Sequence, residues 1–205
     1  GANQKPNETR LDLVQKNAKI MADVVTQIKE QEYKGILLIV SNPVDIMTQV
    51  AMEVSGFPEH RVFGSGTVLD SARLRYHLGQ HLGVDSRSVH AFVIGEHGDS
   101  EIAAWSCANV SGVPLNSFCE MRGHYNHEGN TESIEEQVKN SAYEIIAKKC
   151  ATYYGIAMVV KRICQAIVRD EKSIFPISLR MHGEYALEDV VLSMPAIVGA
   201  RGIET

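Results

Sequence analysis

The chain has no CxxC pair, no HExxH and no complete GxGxxG in its 205 residues. Cys107, Cys119, Cys150 and Cys164 lie far apart. They point to a reduced, cytoplasmic protein rather than a disulfide scaffold. The segment holding Cys150 and Cys164 reads as helical and mostly buried. No apolar run approaches the roughly 18 residues needed to cross a bilayer, and "GANQKPNETR" has no apolar signal region. Positive charge is also scarce: the net charge of -5 argues against nucleic acid or an anionic membrane as the main partner. There is no internal repeat and no low-complexity tract. An initiator methionine is missing and "ARGIET" stops on what reads as the start of a strand, so a piece of a longer chain is expected.

What is present suits a globular fold. An apolar share of 44% and a charged share of 22% can bury a real core. Leu11, Val14, Ala18, Met21, Val25 and Ile28 recur at spacings of three and four, the apolar face of a helix. Gly35 is a plausible stop for it. "ILLIV", Ile36 to Val40, reads as a strand buried on both faces, as in a parallel sheet. In "SNPVD", Asn42 can cap the next helix and Pro43 suits its first position. Helix, buried strand, loop and helix make a piece of a doubly wound α/β sheet, where ligands bind at the carboxyl ends of strands. A helix over "TVLDSARLRYHLGQHLG" offers Leu69, Ala72, Leu74, Tyr76 and Leu78 for burial. "VHAFVIG" reads as a strand, and "EIAAWSCANVSGVPL" as another. "EMRGHYNHEGN" reads as a polar loop. A helical region follows from about Ser133 to Val168, broken near Gly155. The last stretch reads as antiparallel strands with turns at Gly183 and Pro195.

The candidate chemistry is sparse. Gly64 and Gly66 begin a dinucleotide fingerprint, but Leu69 holds the third glycine position, so a turn is expected. His77 and His81, at i and i+4, have a spacing that can bind zinc, but no co-ligands accompany them and no metal is expected. His124 and His127 read as solvated loop residues. Asp70 and Arg73 share a helix face and can form a local ion pair. Arg75 is most simply a surface cation. His97, in "VIGEHGDSE", would need an orienting carboxylate to act as an acid–base group. Asp70 and Asp99 are both candidates on spacing alone.

Taken together, "GANQKPNETRLDLVQKN", "LLIVSNPVDIMT", "GSGTVLDSARLRYHLG", "VIGEHGDSE" and "KKCATYYGIAM" closely resemble the L-lactate/malate dehydrogenase family, in its bacterial lactate branch. The resemblance covers essentially the whole chain. It implies the C-terminal part of a Rossmann-type parallel sheet (residues 1–66, with a mobile active-site loop), followed by an α+β catalytic domain (67–205). The glycine-rich phosphate loop would precede Gly1, and the last strands and helix would follow Thr205. The implied activity is reversible hydride transfer between NADH and pyruvate, giving L-lactate. Localisation would be cytoplasmic and the assembly a homotetramer.

The resemblance also implies roles. His97 matches the proton donor and Asp70 the partner that holds its ring. Arg73 matches the guanidinium that grips the substrate carboxylate, a role separate from pairing with Asp70. Arg10 matches the loop arginine that polarises the carbonyl. Asn42 matches a residue beside nicotinamide and substrate, with Val40 and Ile156 near the cofactor and Thr152 lining the substrate pocket. Gln4 stands where malate enzymes carry arginine, which favours a small uncharged side group such as that of pyruvate. Arg75 and His90 match the pair that binds fructose 1,6-bisphosphate in allosteric bacterial enzymes. Asn7 and Cys150 replace usual glycines. The other implied readings are a related L-2-hydroxy-acid or malate dehydrogenase, and a non-catalytic fragment that only self-associates or binds an anion.

Overall fold

The computed structural model describes residues 10–149 and 152–204. Gln4, Asn7 and Cys150 lie outside them, as do the side chains of Arg10 and Leu11. The chain forms two compact units, Gly1–Gly66 with Arg162–Thr205, and Thr67–Lys161.

The first unit opens with helix α1 (Arg10–Glu30). Its expected apolar face turns inward: Val25 is buried, and Ala18, Met21 and Ile28 pack against Met47, Ala51 and Met52 of helix α2 (Val44–Ser55) and against strand β1 (Leu37–Ile39). Arg61 holds the turn before β1 by donating from Nε to the Gly35 carbonyl at 3.0 Å. In β1, Leu37 and Ile39 are buried but Leu38 is only half-buried and Val40 is exposed, so burial on both faces is not seen. α2 is the crossover that lets β1 pair in parallel with strand β2 (Val62–Gly64), from Leu37 opposite Val62 to Ile39 opposite Gly64. Pro43, not Asn42, takes the cap position of α2, with φ -70° and ψ 122°, and no side chain bonds to the helix end. Asn42 instead accepts at its carbonyl from Asn17 Nδ2 at 3.1 Å.

Gly64 and Gly66 are packing glycines. A Cβ on Gly64 would come within 2.5 Å of Thr48 Oγ1 and 2.8 Å of Ser178 Cβ. Gly66 has φ +52°, and its Cβ would meet the Pro176 carbonyl oxygen at 2.5 Å. Only glycine admits this close approach of backbones, which accounts for the pair without a phosphate.

The second unit begins with helix α3 (Val68–Leu82), closed by Gly83 at φ +66°. Its buried stripe is Ser71, Leu74, Leu78 and Leu82, at spacings of three and four, together with Val68 and Asp70. Tyr76, expected inside, is 55% exposed, because it lies two positions off that stripe. Each of the three leucines is 1% exposed and contributes roughly 2 kcal/mol by burial. The expected strand "VHAFVIG" is two short ones, β3 (Val89–His90) and β4 (Val93–Ile94). The next expected strand is three: β5 (Ile102–Ala103), β6 (Asn109–Val110) and β7 (Val113–Pro114). β4 pairs with β5, and β6 lies between β3 and β7, all antiparallel. A helix not read from the sequence, α4 (Leu115–Met121), follows, and α5 (His127–Lys149) starts earlier than expected. α5 packs along α3, burying Ile134 and Val138 against the leucine stripe. Residues 152–153, just before α6 (Tyr154–Val168), are not helical, so the helical region is interrupted near Gly155 as expected.

Strands β8 (Ser173–His182), β9 (Glu188–Gly199) and β10 (Gly202–Ile203) return to the first unit. β8 meets β2 at Ser178 opposite Gly64, giving the order β1-β2-β8-β9-β10. The sheet is therefore parallel at one edge and antiparallel beyond it. Gly183, at φ +108°, turns the chain as expected. Pro195 does not: it sits inside β9 opposite Pro176. The pairing of β2 with β8 and of β10 with β9 falls elsewhere, so neither proline has to donate to an outer neighbour. Residues 162–205 thus share a compact unit with residues 1–66, whereas the expected second domain runs from 67 through 205. Cys164, expected buried, is exposed on α6, and Cys107, Cys119 and Cys164 are free thiols. Among the described residues no helix is long and apolar enough to cross a membrane.

Candidate active site

The site is built in the second unit by two serine–threonine hydroxyls that tie α3 to β4. Thr67, just before the helix, donates from Oγ1 to the Val93 carbonyl at 2.5 Å. Ser71 accepts from the Val93 N–H at 2.8 Å. Both hydroxyls are fully buried. They fix the start of the β4–β5 hairpin over the first turn of α3, so that its connecting turn, Gly95 to Ser100, hangs above Asp70.

That turn carries His97. Its Nδ1 lies 2.7 Å from Asp70 Oδ2. Asp70 Oδ1 accepts from Arg73 Nη1 at 3.1 Å. Asp70 is 3% exposed, and the His97 side chain 26%. A buried carboxylate is thus shared between an imidazole and a guanidinium, both donors on defined atoms. Of the two candidate partners for His97, the structure joins it to Asp70, twenty-seven positions upstream; Asp99 is exposed at the tip of the turn. Arg73 and Asp70, expected to have separate tasks, are also an ion pair across one helical turn.

A third acid belongs to this group. Glu101 is 8% exposed. Asp70, His97 and Glu101 each present a ligand atom within 4.8 Å of the others, the one such trio among the described residues. Both Asp70 oxygens already accept hydrogen bonds and a guanidinium stands alongside, which suits a proton-linked network better than a cation cage. Burial first, and then the Asp70 charge, push the Glu101 carboxyl up to about 7. Sequence reasoning passed over Glu101, although it closes the same nine-residue motif as His97, because charge alone does not reveal burial.

The other expected residues fall in several places. Val40 and Asn42 follow the carboxyl end of β1 in the first unit. Thr152 and Ile156 stand, half-buried, before and within the start of α6. Arg10 begins α1. Arg75 is half-buried on α3, where burial pulls its guanidinium pKa down, and His90 is exposed on β3, which α3 packs against. The histidines expected as solvated are half-buried: His124 lies against His81 with ring centroids 4.3 Å apart, and His127 Nε2 lies 3.2 Å from Glu120. His77, the other half of the expected i, i+4 pair, meets Ser141 Oγ at 3.5 Å.

A carboxylate-held histidine beside a helical arginine, in a chain that also forms an α/β unit with a parallel strand pair, suits an acid–base enzyme of the dehydrogenase class. The comparison with known proteins makes the class specific. Residues 1–64 match the family model described as lactate/malate dehydrogenase, NAD binding domain, and residues 67–205 match that family's alpha/beta C-terminal domain. The chain belongs to the lactate/malate dehydrogenase family.

Within it, the chain is similar to L-lactate dehydrogenases. It is 52% identical over 204 residues to the L-lactate dehydrogenase of Acetivibrio thermocellus, covering 100% of this chain and 64% of that protein. It is 51% identical over 203 residues to that of Thermoanaerobacterium saccharolyticum, covering 99% and 65%. The solved ligand-bound minor L-lactate dehydrogenase of Enterococcus mundtii superposes with a TM-score of 0.95 at 45% identity, over 100% of this chain and 65% of that one. A lactate dehydrogenase from a Medee basin deep-sea metagenome library superposes at 0.96, also at 45% identity and with the same coverage. The chain thus spans about two-thirds, 64 to 65%, of its relatives' length.

Proposed function

We propose that this chain is part of an NAD-dependent L-lactate dehydrogenase that interconverts pyruvate and L-lactate. The observation that carries the reading is the Asp70 carboxylate bonded at once to His97 Nδ1 and Arg73 Nη1. With Nδ1 held by Asp70, Nε2 is the ring nitrogen that carries the transferable proton. A carboxylate at 2.7 Å favours the imidazolium form needed to protonate a developing alkoxide. Arg73 takes the substrate carboxylate through its planar fork, which a lysine cannot reproduce. Arg10 polarises the substrate carbonyl, and Thr152 and Asn42 line the substrate site. Val40, Asn42 and Ile156 suit the nicotinamide end of the cofactor: Val40 is an exposed apolar residue at a parallel strand's carboxyl end, the position where such sheets bind dinucleotides. The cofactor supplies the hydride when bound. Similarity to named L-lactate dehydrogenases over the whole chain supports the same reading.

The test is steady-state oxidation of NADH by the full-length gene product with pyruvate and with oxaloacetate. Pyruvate is the expected substrate, and a preference for oxaloacetate would defeat the assignment. Gln4→Arg is expected to move the ratio of the two kcat/KM values towards oxaloacetate, by placing a cation for the second carboxylate. An unchanged ratio would show that Gln4 does not set specificity. A larger 2-keto acid outpacing pyruvate would favour the related L-2-hydroxy-acid dehydrogenase reading.

The assembly we propose is a cytoplasmic homotetramer activated by fructose 1,6-bisphosphate, with Arg75 and His90 contributing cations to an anion site shared between subunits. The half-buried Arg75 makes no ion pair with any described carboxylate, which supports a role for an external anion. The bisphosphate is expected to lower the apparent KM for pyruvate, and Arg75→Ala to remove that effect. The 205 residues alone are expected to be inactive. Tight NADH binding by them in a fluorescence titration would contradict this.

A further inference from the structure

We propose that Glu101 is a positioning residue, a second carboxyl partner of the His97–Asp70 pair that tunes how long the imidazole keeps its proton. The inference rests on His97 being the acid–base group. Glu101 lies where the His97 turn rejoins β5; its N–H donates to the Gly98 carbonyl at 3.3 Å. Its side chain faces a small cavity walled by Leu74, Val93, Ala103 and Val138, with Glu135 and Lys139 of α5 completing the lining. The charged groups around it are few. From α3 come Asp70 and Arg73, from its own turn His97, and from α5 Lys139 and Glu135. Glu135 is engaged elsewhere, accepting from Trp105 Nε1 at 2.6 Å.

A buried carboxyl among mostly apolar walls, with no hydrogen bond from a described residue to its oxygens, is costly as an anion. It therefore holds its proton below about pH 7, where Asp70 supplies the buried negative charge beside His97. As the pH rises through about 7, Glu101 ionises and a second anion appears next to the imidazole. That anion favours imidazolium. His97 then stays charged to higher pH than Asp70 alone would allow, and keto-acid reduction keeps its acid catalyst on the alkaline side.

The experiment is an NMR titration of the His97 ring in the full-length protein and in Glu101→Gln, read together with the pH profile of kcat/KM for pyruvate. The expected result is a His97 pKa lower by about half to one unit in Glu101→Gln, with the alkaline limb of the profile moving equally. Glu101→Asp should restore part of the shift. An unchanged His97 titration overturns the proposal even if pyruvate proves not to be the substrate, since the NMR reading needs no turnover. Conversely, a protein that ignores pyruvate yet shows the His97 shift defeats the functional reading alone. Should Glu101→Gln fail to fold, the carboxyl carbon of Glu101 in the unaltered protein decides: titration near the ordinary 4.5 would overturn the inference.

Discussion

Among the described residues, His97 and His81 lie against opposite ends of α3, and of these two only His97 has a carboxylate bonded to its ring. At the β4–β5 turn, His97 meets a buried carboxylate that itself meets an arginine. At the far end of α3, His81 meets another histidine, His124, and its Nε2 is buried without a partner. The rings are chemically the same; their neighbours are not. A carboxylate supplies the opposite charge that stabilises an imidazolium, whereas burial and a like-charged neighbour pull the His81 pKa down. A histidine becomes an acid near neutrality through what it faces, not through its own burial.

The comparison is broken most directly at His97. His97→Gln leaves a side chain able to accept or donate but not to titrate. Pyruvate reduction by the full-length protein should fall about 10³-fold in kcat, the usual scale for losing a positioned acid. His81→Gln should leave kcat within twofold. Comparable losses at both positions, measured by steady-state kinetics, would erase the distinction.

The next effect is on the scaffold. Ser71→Ala removes the acceptor of the Val93 N–H and leaves that buried donor unmatched. A cost of about 1–3 kcal/mol in unfolding free energy is expected, read from urea denaturation. Because Ser71 ties β4 to the helix that bears Asp70, kcat should fall as well, while KM for NADH holds. A variant as stable and as fast as the original would show that the hairpin needs no such tie.

Much of this was legible in the residues themselves. The spacing of apolar positions located α1, and the motif around His97 placed it in a turn after a strand. What was not legible was mostly a matter of pairing and burial. Pro195 reads as a turn until its strand is seen to leave that edge unpaired. His124 and His127 read as solvated because their loop is polar, yet packing of α4 and α5 against the end of α3 covers both. Tyr76 and Leu78 look equally suited to burial, and only helical phase separates an exposed residue from a buried one. The choice of Asp70 over Asp99 came from the family resemblance, not from periodicity or spacing, and the structure shows it as a contact twenty-seven residues apart. Glu101 shows the same limit from the opposite side: a motif acid whose environment, not identity, makes it unusual.

The smallest effect concerns the sign of the pH dependence. Burial is the first cause at both Glu101 and His81, yet it acts in opposite directions because one is an acid and the other a base. Glu101 has a folded pKa raised above its ordinary value, so its contribution to stability is complete below about 4.5 and lost as the pH rises through about 7. His81 has a folded pKa lowered below 6.5, so stability is complete above that value and declines as the pH falls below it, when the unfolded chain binds the proton more readily. The groups that face His81 are His124 from the loop, Cys119 from α4 and His127 from α5, and no carboxylate among the described residues is bonded to it. His81→Gln should therefore flatten the fall in the urea midpoint between pH 7 and pH 5, with little change at pH 8. If the variant loses stability on acidification as steeply as the original does, the proton is being taken up elsewhere, and the contrast between the two clusters would rest on His97 alone.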